Sequence, residues 1–143
     1  MTPPLARPAI SRVAFLALAF TTIATGLAVH FYATFLGPVA KDMLGDALWA
    51  AMVAWWVGAV APAASLRTRG IAALAICFAV ETSQRYHGAT LDALRQTTAG
   101  HLVLGSGFDP RDFAAYTLGV LAAMLVERVI RAGRTSVQQG LLT

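Results

Sequence analysis

The amino-acid sequence predicts an all-α integral membrane protein, a four-helix bundle with a short interfacial helix and a glycine-rich loop between spans three and four. Two observations predict this class. Hydrophobic residues make up 57% of the 143 residues and charged residues only 13%, about half the charged share of a soluble domain. The apolar residues also form four runs that approach the ~20 residues a helix needs to cross a bilayer.

The basic residues flank the apolar runs, so we interpret the formal net charge of +4 as a topology signal and not as a nucleic-acid site. The single cysteine, Cys77, lies inside the third run. One cysteine excludes an internal disulfide framework and a CxxC metal site. The histidines have no HxxxH or HxxE spacing. We therefore predict no nucleic-acid partner, no metal and no cofactor.

The predicted domain organisation has three parts. Residues 1–12 form a cytoplasmic lead-in, residues 13–130 form the four-span membrane domain, and residues 131–143 form a basic and polar cytoplasmic tail that is expected to fray. The first span covers residues 13–31. A positive residue directly before an apolar run, here Arg12, is also typical of a cleavable signal peptide. This run is longer than a usual signal core, which favours an uncleaved span.

Turn-forming residues separate the next spans. The stretch 35–38 ends the first helix, a polar stretch follows, and the second span covers residues 47–64. A tight basic turn over residues 65–70 leads to the third span, over residues 71–84. That span would be only about 20 Å long at 1.5 Å per residue. Glu81 is therefore expected within the hydrocarbon or at its edge.

The segment after the third span combines a short helix with a loop. Thr90 is expected to cap the helix, in which Asp92 and Arg95 have the i,i+3 spacing that lets them pair. Residues 100–108 are apolar but broken by glycines and too short to span. They predict an interfacial or re-entrant loop.

The fourth span covers residues 113–130 and has a well-marked start. Asp109 is expected at the N-cap, Pro110 at the first helical position, and a second acid, Asp112, near the positive end of the helix dipole. The sequence has no internal repeat.

The ends of four alternating spans divide the charged residues into two sets. Seven arginines and one acid, Glu127, lie on the side of both termini, whereas four basic and six acidic residues lie on the other side. The positive-inside rule counts Lys and Arg over short loops. Both termini are therefore predicted in the cytoplasm, with the acidic set facing outward.

Three helix ends on the acidic side are expected to converge on one polar site. Carboxylates within a membrane cost about 2.5–3.5 kcal/mol each on insertion scales and usually face the bundle interior with a partner. Spacings of three or four residues put Glu81 and Gln84 on one helical face and Asp112 and Tyr116 on another, and the loop supplies Arg95. The predicted catalytic residues, if there is a reaction, are Glu81 and Asp112; the predicted binding residues are Asp46, Gln84, Arg95 and Tyr116.

A local structural role is the alternative for each of these residues. Glu81 with Arg85, and Asp92 with Arg95, would then be ion pairs that tie down the loop, and Asp112 would only complete a helix cap. For the group, a site is favoured, because a loop can be tied down with fewer ionisable groups.

Four motifs follow one another in a specific order: K-x-x-x-GDALWA over residues 41–50, ETSQ over 81–84, LDALRQTTAGHLVLGSGF over 91–108 and D-x-x-AYTLG over 112–119. This order resembles the small bacterial membrane family catalogued as domain of unknown function 2809. More loosely, the layout is similar to the four-span VanZ-like proteins linked to teicoplanin resistance. Those proteins have matching residues at the positions of Glu81, Gln84, Arg95, Asp112 and Gly119, and often asparagine where this chain has Tyr116. The resemblance implies a shared scaffold in the bacterial inner membrane.

These observations support hypotheses of different classes. The first is a polar pocket at the outer membrane boundary that binds or acts on a lipid or cell-envelope amphiphile, with Arg95 holding an anionic group. The second is a non-catalytic subunit or scaffold of a larger membrane complex. A proton-coupled transporter would need an oligomer, because the four spans contain no two-fold repeat. Membrane lipids are the expected partners, and a homo-oligomer is left open.

Overall fold

The computed structural model describes residues 10–97, 100 and 107–140. These residues contain five helices and no strand, which confirms the all-α class. The helices are α1 (Arg12–Tyr32), α2 (Pro38–Val60), α3 (Leu66–Ser83), α4 (Ala89–Arg95) and α5 (Asp112–Gly140). Most of the predicted glycine-rich loop, residues 101–106, lies outside the described residues.

Three of the described helices are long and apolar enough to cross a membrane. They are α1, α2 and the Asp112–Arg134 part of α5. The helix at the predicted third span, α3, has 18 residues and contains Arg67, Arg69 and Glu81, and it is not among them. The structure thus gives three candidate spans where the sequence predicted four, and it makes α3 a more polar helix packed against two of them.

Helix α2 is the centre of the packing, since it contacts α1, α3 and α5, while α3 also contacts α5. Phe15 and Trp55 belong to an apolar cluster between α1 and α2, and Cys77 and Val120 belong to a second cluster with α2 residues. At Gly119 the backbones of α5 and α2 come so close that an added Cβ would overlap the carbonyl of Ala47. This contact fixes the start of α5 against the start of α2.

Helices α2 and α3 both begin earlier than the sequence predicted. Helix α2 begins at Pro38, which occupies the first turn after the N-cap Gly37, a position where the missing N–H of proline costs nothing. Asp46 is therefore helical. Helix α3 begins at Leu66, because the Ser65 hydroxyl accepts a hydrogen bond from the Thr68 backbone N–H at 3.1 Å. The predicted basic turn over residues 65–70 is wrong.

The ends of α4 and α5 also differ from the expectation. The N-cap of α4 is Gly88 and not Thr90, and no side chain caps it. Before α5, the Asp109 carboxylate accepts a hydrogen bond from the Arg111 backbone N–H at 2.9 Å, which is an Asx-turn. Helix α5 itself begins at Asp112 and continues to Gly140. Much of the tail that was expected to fray is therefore helical.

Large apolar side chains on the candidate spans face away from the protein. Val13, Phe20, Leu118 and Leu125 are each at least 60% exposed. Water-exposed apolar surface of this extent is unusual in a soluble monomer. Together with the three long apolar helices, this fits a membrane protein whose outer surface contacts lipid.

Candidate functional site

Glu81, in the last turn of α3, is fully buried. Its Oε2 accepts hydrogen bonds from the Gln84 side-chain amide and the Tyr116 hydroxyl, both at 2.9 Å. Its Oε1 accepts a third from the backbone N–H of Asp109 at 2.8 Å. A buried carboxylate needs such donors to offset the water it has lost. One side chain therefore joins the end of α3 to the beginning of α5.

Two further carboxyl groups lie beside Glu81. The side chains of Asp46, from α2, and Asp112, from α5, form a hydrogen bond, and each also interacts electrostatically with Glu81. A hydrogen bond between two carboxyl groups requires a proton on one of them. Both aspartates are only partly buried. Carboxyl groups from three different helices thus converge at one end of the protein.

Gln84 and Tyr116 form the inner wall of this acidic site, which we define as Asp46, Glu81, Gln84, Asp112 and Tyr116. Gln84 is 5% exposed and Tyr116 is 4% exposed. The side-chain oxygen of Gln84 is buried and has no donor among the described residues. The Tyr116 ring packs against Trp49, with 5.6 Å between ring centroids. The acidic site therefore contains one buried acceptor that is not used within the described part of the protein.

Arg95 has a different set of contacts from the one the sequence suggested. Its two terminal nitrogens donate to the backbone carbonyls of Ser83 and Tyr86, both at 2.8 Å, and the pair with Asp92 is present at 3.3 Å. The carbonyls at a helix end have no partner within the helix. Arg95 supplies donors for the chain at the end of α3 and ties α4 to it, and the structure records no bond from Arg95 to Glu81.

The proposed ion pair between Glu81 and Arg85 is not formed. The Arg85 guanidinium lies over the Phe108 ring, 5.0 Å from its centroid. The three donors of Glu81 come instead from Gln84, Tyr116 and the backbone of Asp109. The local ion-pair alternative is therefore wrong for Glu81 and right for Asp92 with Arg95.

Residues 35–120 match the family described as "Protein of unknown function (DUF2809)". This match covers more than half of the chain. The chain belongs to the DUF2809 family. The DUF2809 segment runs from just before α2 into α5, and the chain matches no solved structure. All predicted site residues lie within the segment: Asp46, Glu81, Gln84, Arg95, Asp112 and Tyr116.

A second buried charged cluster, partly beyond the DUF2809 segment, was missed from the sequence. Arg69 of α3 and Glu127 of α5 are each 3% exposed and are hydrogen bonded to each other. Arg131 also donates to Glu127, at 2.8 Å. The sequence contained a signal for it: Glu127 is the only acid among the basic residues of its side and has Arg131 four residues later. Arg69 was missed because it was assigned to a turn and not to a helix.

Proposed function

We propose that this protein binds the polar headgroup of a lipid or cell-envelope amphiphile at the acidic site. The observation that carries the proposal is the convergence of the Asp46, Glu81 and Asp112 carboxyl groups from three helices. Keeping three carboxyl groups together in a largely apolar protein opposes insertion and folding. A ligand that contacts them gives this arrangement a use that packing alone does not require.

The available groups favour a headgroup that donates hydrogen bonds. Gln84 and Tyr116 already donate to Glu81, so the remaining polar atoms are mainly acceptors: the carboxyl oxygens of Asp46 and Asp112 and the unused amide oxygen of Gln84. Carboxylates and amide oxygens accept from ammonium and hydroxyl groups. We therefore propose a cationic or donor-rich headgroup, such as one with a primary ammonium group.

The roles of the predicted residues change in this proposal. Arg95 supports the end of α3 and does not hold an anionic group of the ligand, because its terminal nitrogens donate to backbone carbonyls. Glu81 orients Gln84 and Tyr116. If the protein catalyses a reaction, Asp112 is the proton acceptor, since the two oxygens of Glu81 already accept three hydrogen bonds.

The proposal includes a location and an orientation. The protein lies in the bacterial inner membrane, with both termini in the cytoplasm and the acidic site at the outer boundary. The supporting observations are the excess of Lys and Arg on the side of the termini and the similarity in layout to VanZ-like proteins. In this orientation the acidic site meets headgroups of the outer leaflet and of envelope precursors.

Lipid binding by the purified full chain tests the proposal. Native mass spectrometry would compare phosphatidylethanolamine, which has a primary ammonium group, with phosphatidylglycerol, which has none. We expect retention of phosphatidylethanolamine by the wild type and at least a tenfold loss in the double variant Asp46→Asn/Asp112→Asn. Asp92→Asn is the matched control, because it removes an acid of the same predicted side that lies on α4 and outside the acidic site. It should bind like the wild type.

Equal retention of both lipids by the wild type and the double variant would contradict the proposal. A parallel experiment in cells uses lipid and metabolite profiles of a deletion strain. Wild type and Asp92→Asn should restore the profile, whereas Asp112→Asn should not. Restoration by Asp112→Asn at normal protein levels would also argue against a ligand at the acidic site.

One observation favours a second candidate, a non-catalytic subunit or scaffold. All hydrogen bonds of Glu81 are made within the chain, which is how a purely structural buried carboxylate is satisfied. A scaffold should co-purify with a stoichiometric protein partner under native mass spectrometry. Its partner should be lost in destabilised variants, and the two lipids should bind equally.

A further inference from the structure

Arg69 has hydrogen-bond donors that the described residues do not satisfy. One terminal nitrogen donates to Glu127, but Nε and the other terminal nitrogen are buried without an acceptor among those residues. One face of the guanidinium lies over the Phe15 ring, 4.9 Å from its centroid. A buried cation with unused donors is unfavourable unless a further acceptor or charge reaches it.

Glu127 offsets only part of this charge. Its Oε1 accepts hydrogen bonds from both Arg69 and Arg131, so one negative charge is shared between two guanidinium groups. The Arg131 side chain is 28% exposed, whereas the Arg69 side chain is 4% exposed. Water can stabilise Arg131 but reaches Arg69 poorly. Arg69 is therefore the member of the cluster that gains most from another anion.

A small cavity lies against Arg69, between α2, α3 and α5. Its volume is about 10 Å³ for the centre of a water molecule, which is room for one group of that size. Apart from Arg69 and Glu127 the lining is apolar: Ala54, Trp55, Leu66, Gly70, Ala123 and Met124. The cavity is twelve residues along α3 from Glu81, roughly 18 Å at 1.5 Å per residue, and so is separate from the acidic site.

Size and charge together select the ligand. Phosphate and sulfate are too large for a space that holds a single water-sized group, and a water molecule would fit but would bring no negative charge. A halide fits and can accept hydrogen bonds from the two unused nitrogens of Arg69. Glu127 lines the same cavity, but its carboxylate is flanked by two guanidinium groups, which reduce its repulsion of a second anion. We infer that Arg69 binds a halide ion, chloride under ordinary conditions, in this cavity.

Two measurements on the purified full chain test the inference. In thermal unfolding at constant ionic strength, replacing sodium gluconate by sodium chloride should raise the midpoint of the wild type by about 2–4 °C at saturation. In crystals grown with sodium bromide, an anomalous peak should lie within hydrogen-bond distance of Arg69 Nε. Arg67→Ala is the matched control, because Arg67 is exposed one half-turn away on the same helix, and it should keep the full chloride response.

Two variants of the site keep the test decisive. The pair Arg69→Met/Glu127→Met removes both charges together, which a fold tolerates better than the loss of one, and it should lose the chloride response. If the pair does not fold, Arg69→Lys keeps the positive charge but lacks the two unused donors, and it should lose the response too. The inference is overturned by equal midpoints in chloride and gluconate for the wild type, by a response that Arg69→Lys retains, or by an ordered water in place of bromide.

Discussion

The two fully or almost fully buried glutamates are stabilised by different kinds of donors. Glu81 accepts from an amide, a phenol and a backbone N–H, all neutral groups, whereas Glu127 accepts from two guanidinium groups. Neutral donors leave the negative charge of Glu81 in place, and the charge of Glu127 is more than balanced. One end of the helices therefore remains acidic and the other basic, which is the polarity that the loop charges of the sequence suggested.

Replacing Glu81 by Gln should destabilise the fold. The new side-chain NH₂ would face a donor, either the Asp109 N–H or the Tyr116 hydroxyl, and would leave a buried polar group without a partner. We expect a loss of about 1–3 kcal/mol in the free energy of unfolding, measured by denaturation of the purified protein. Tyr116→Phe should cost about 1 kcal/mol, since it removes a single hydrogen bond.

The double variant Glu81→Gln/Tyr116→Phe then tests whether the two residues act together. Because they are in direct contact at 2.9 Å, the double variant should differ from the sum of the single variants by about 0.5 kcal/mol or more. Additive losses would show that the bond between Oε2 and the hydroxyl does not contribute to stability.

At the residue scale, the sequence was informative where the argument depended on local spacing. The pairs Glu81 with Gln84 and Asp92 with Arg95 follow from three residues of helix and are both present. The position of Arg95 depends instead on how the chain turns between α3 and α4. No spacing encodes that turn, and so its bonds to backbone carbonyls were not foreseen.

Removing the charge of Glu127 should be among the most destabilising single changes. Glu127→Gln would leave the buried Arg69 guanidinium without its counter-ion, at an expected cost of about 3–5 kcal/mol. The neighbouring Arg128 is exposed, so Arg128→Gln should change the free energy of unfolding by no more than about 0.5 kcal/mol. Similar unfolding midpoints for the two variants would mean that the ion pair with Arg69 is not formed in the membrane protein.

At the scale of elements, helix starts were predicted less well than helix identities. A proline or an N-cap serine sets the first residue of α2 and of α3, whereas the prediction followed hydropathy and began both helices where the charged residues end. Hydropathy reports which part of a helix contacts lipid. It does not report where the helical hydrogen bonds begin, so polar first turns were assigned to loops.

The contact between α2 and α5 depends on the absence of a side chain at Gly119. Gly119→Ala would drive a Cβ into the Ala47 carbonyl, and the two backbones would have to separate. We expect a loss of about 1–3 kcal/mol in the free energy of unfolding. Because Ala47 and Gly119 are next to Asp46 and Asp112 in their motifs, lipid retention by the acidic site should fall as well.

Gly133→Ala, on the same helix, is the matched control for this contact. A Cβ at Gly133 has no atom within 4 Å outside its own helix backbone. Alanine favours helix over glycine by up to about 1 kcal/mol, so this variant should be as stable as the wild type or more stable. If both variants are stabilised, the close approach of α2 and α5 is not a feature of the protein in its membrane.

For the whole molecule, the question is whether α3 crosses the membrane. Its 18 residues give a length of about 27 Å, slightly less than the ~30 Å of the hydrocarbon core. Its charged side chains argue against contact with lipid, yet Glu81 and Arg69 are bonded within the protein and do not face lipid. Charges that are paired in the interior are the ones that membrane helices tolerate. We therefore predict that α3 crosses, shielded by α2 and α5.

Cysteine labelling distinguishes the two topologies. In a Cys77→Ala background, single cysteines would replace exposed residues at the ends of the helices, and a membrane-impermeant maleimide would be added to intact cells. If α3 crosses, Thr34→Cys and His87→Cys react, while Arg12→Cys and Arg67→Cys react only after the cells are opened. If α3 does not cross, positions 67 and 87 lie on the same side and label together. The second result would also separate Glu81 from the outer boundary, since the end of α3 would then have no fixed relation to the outer leaflet.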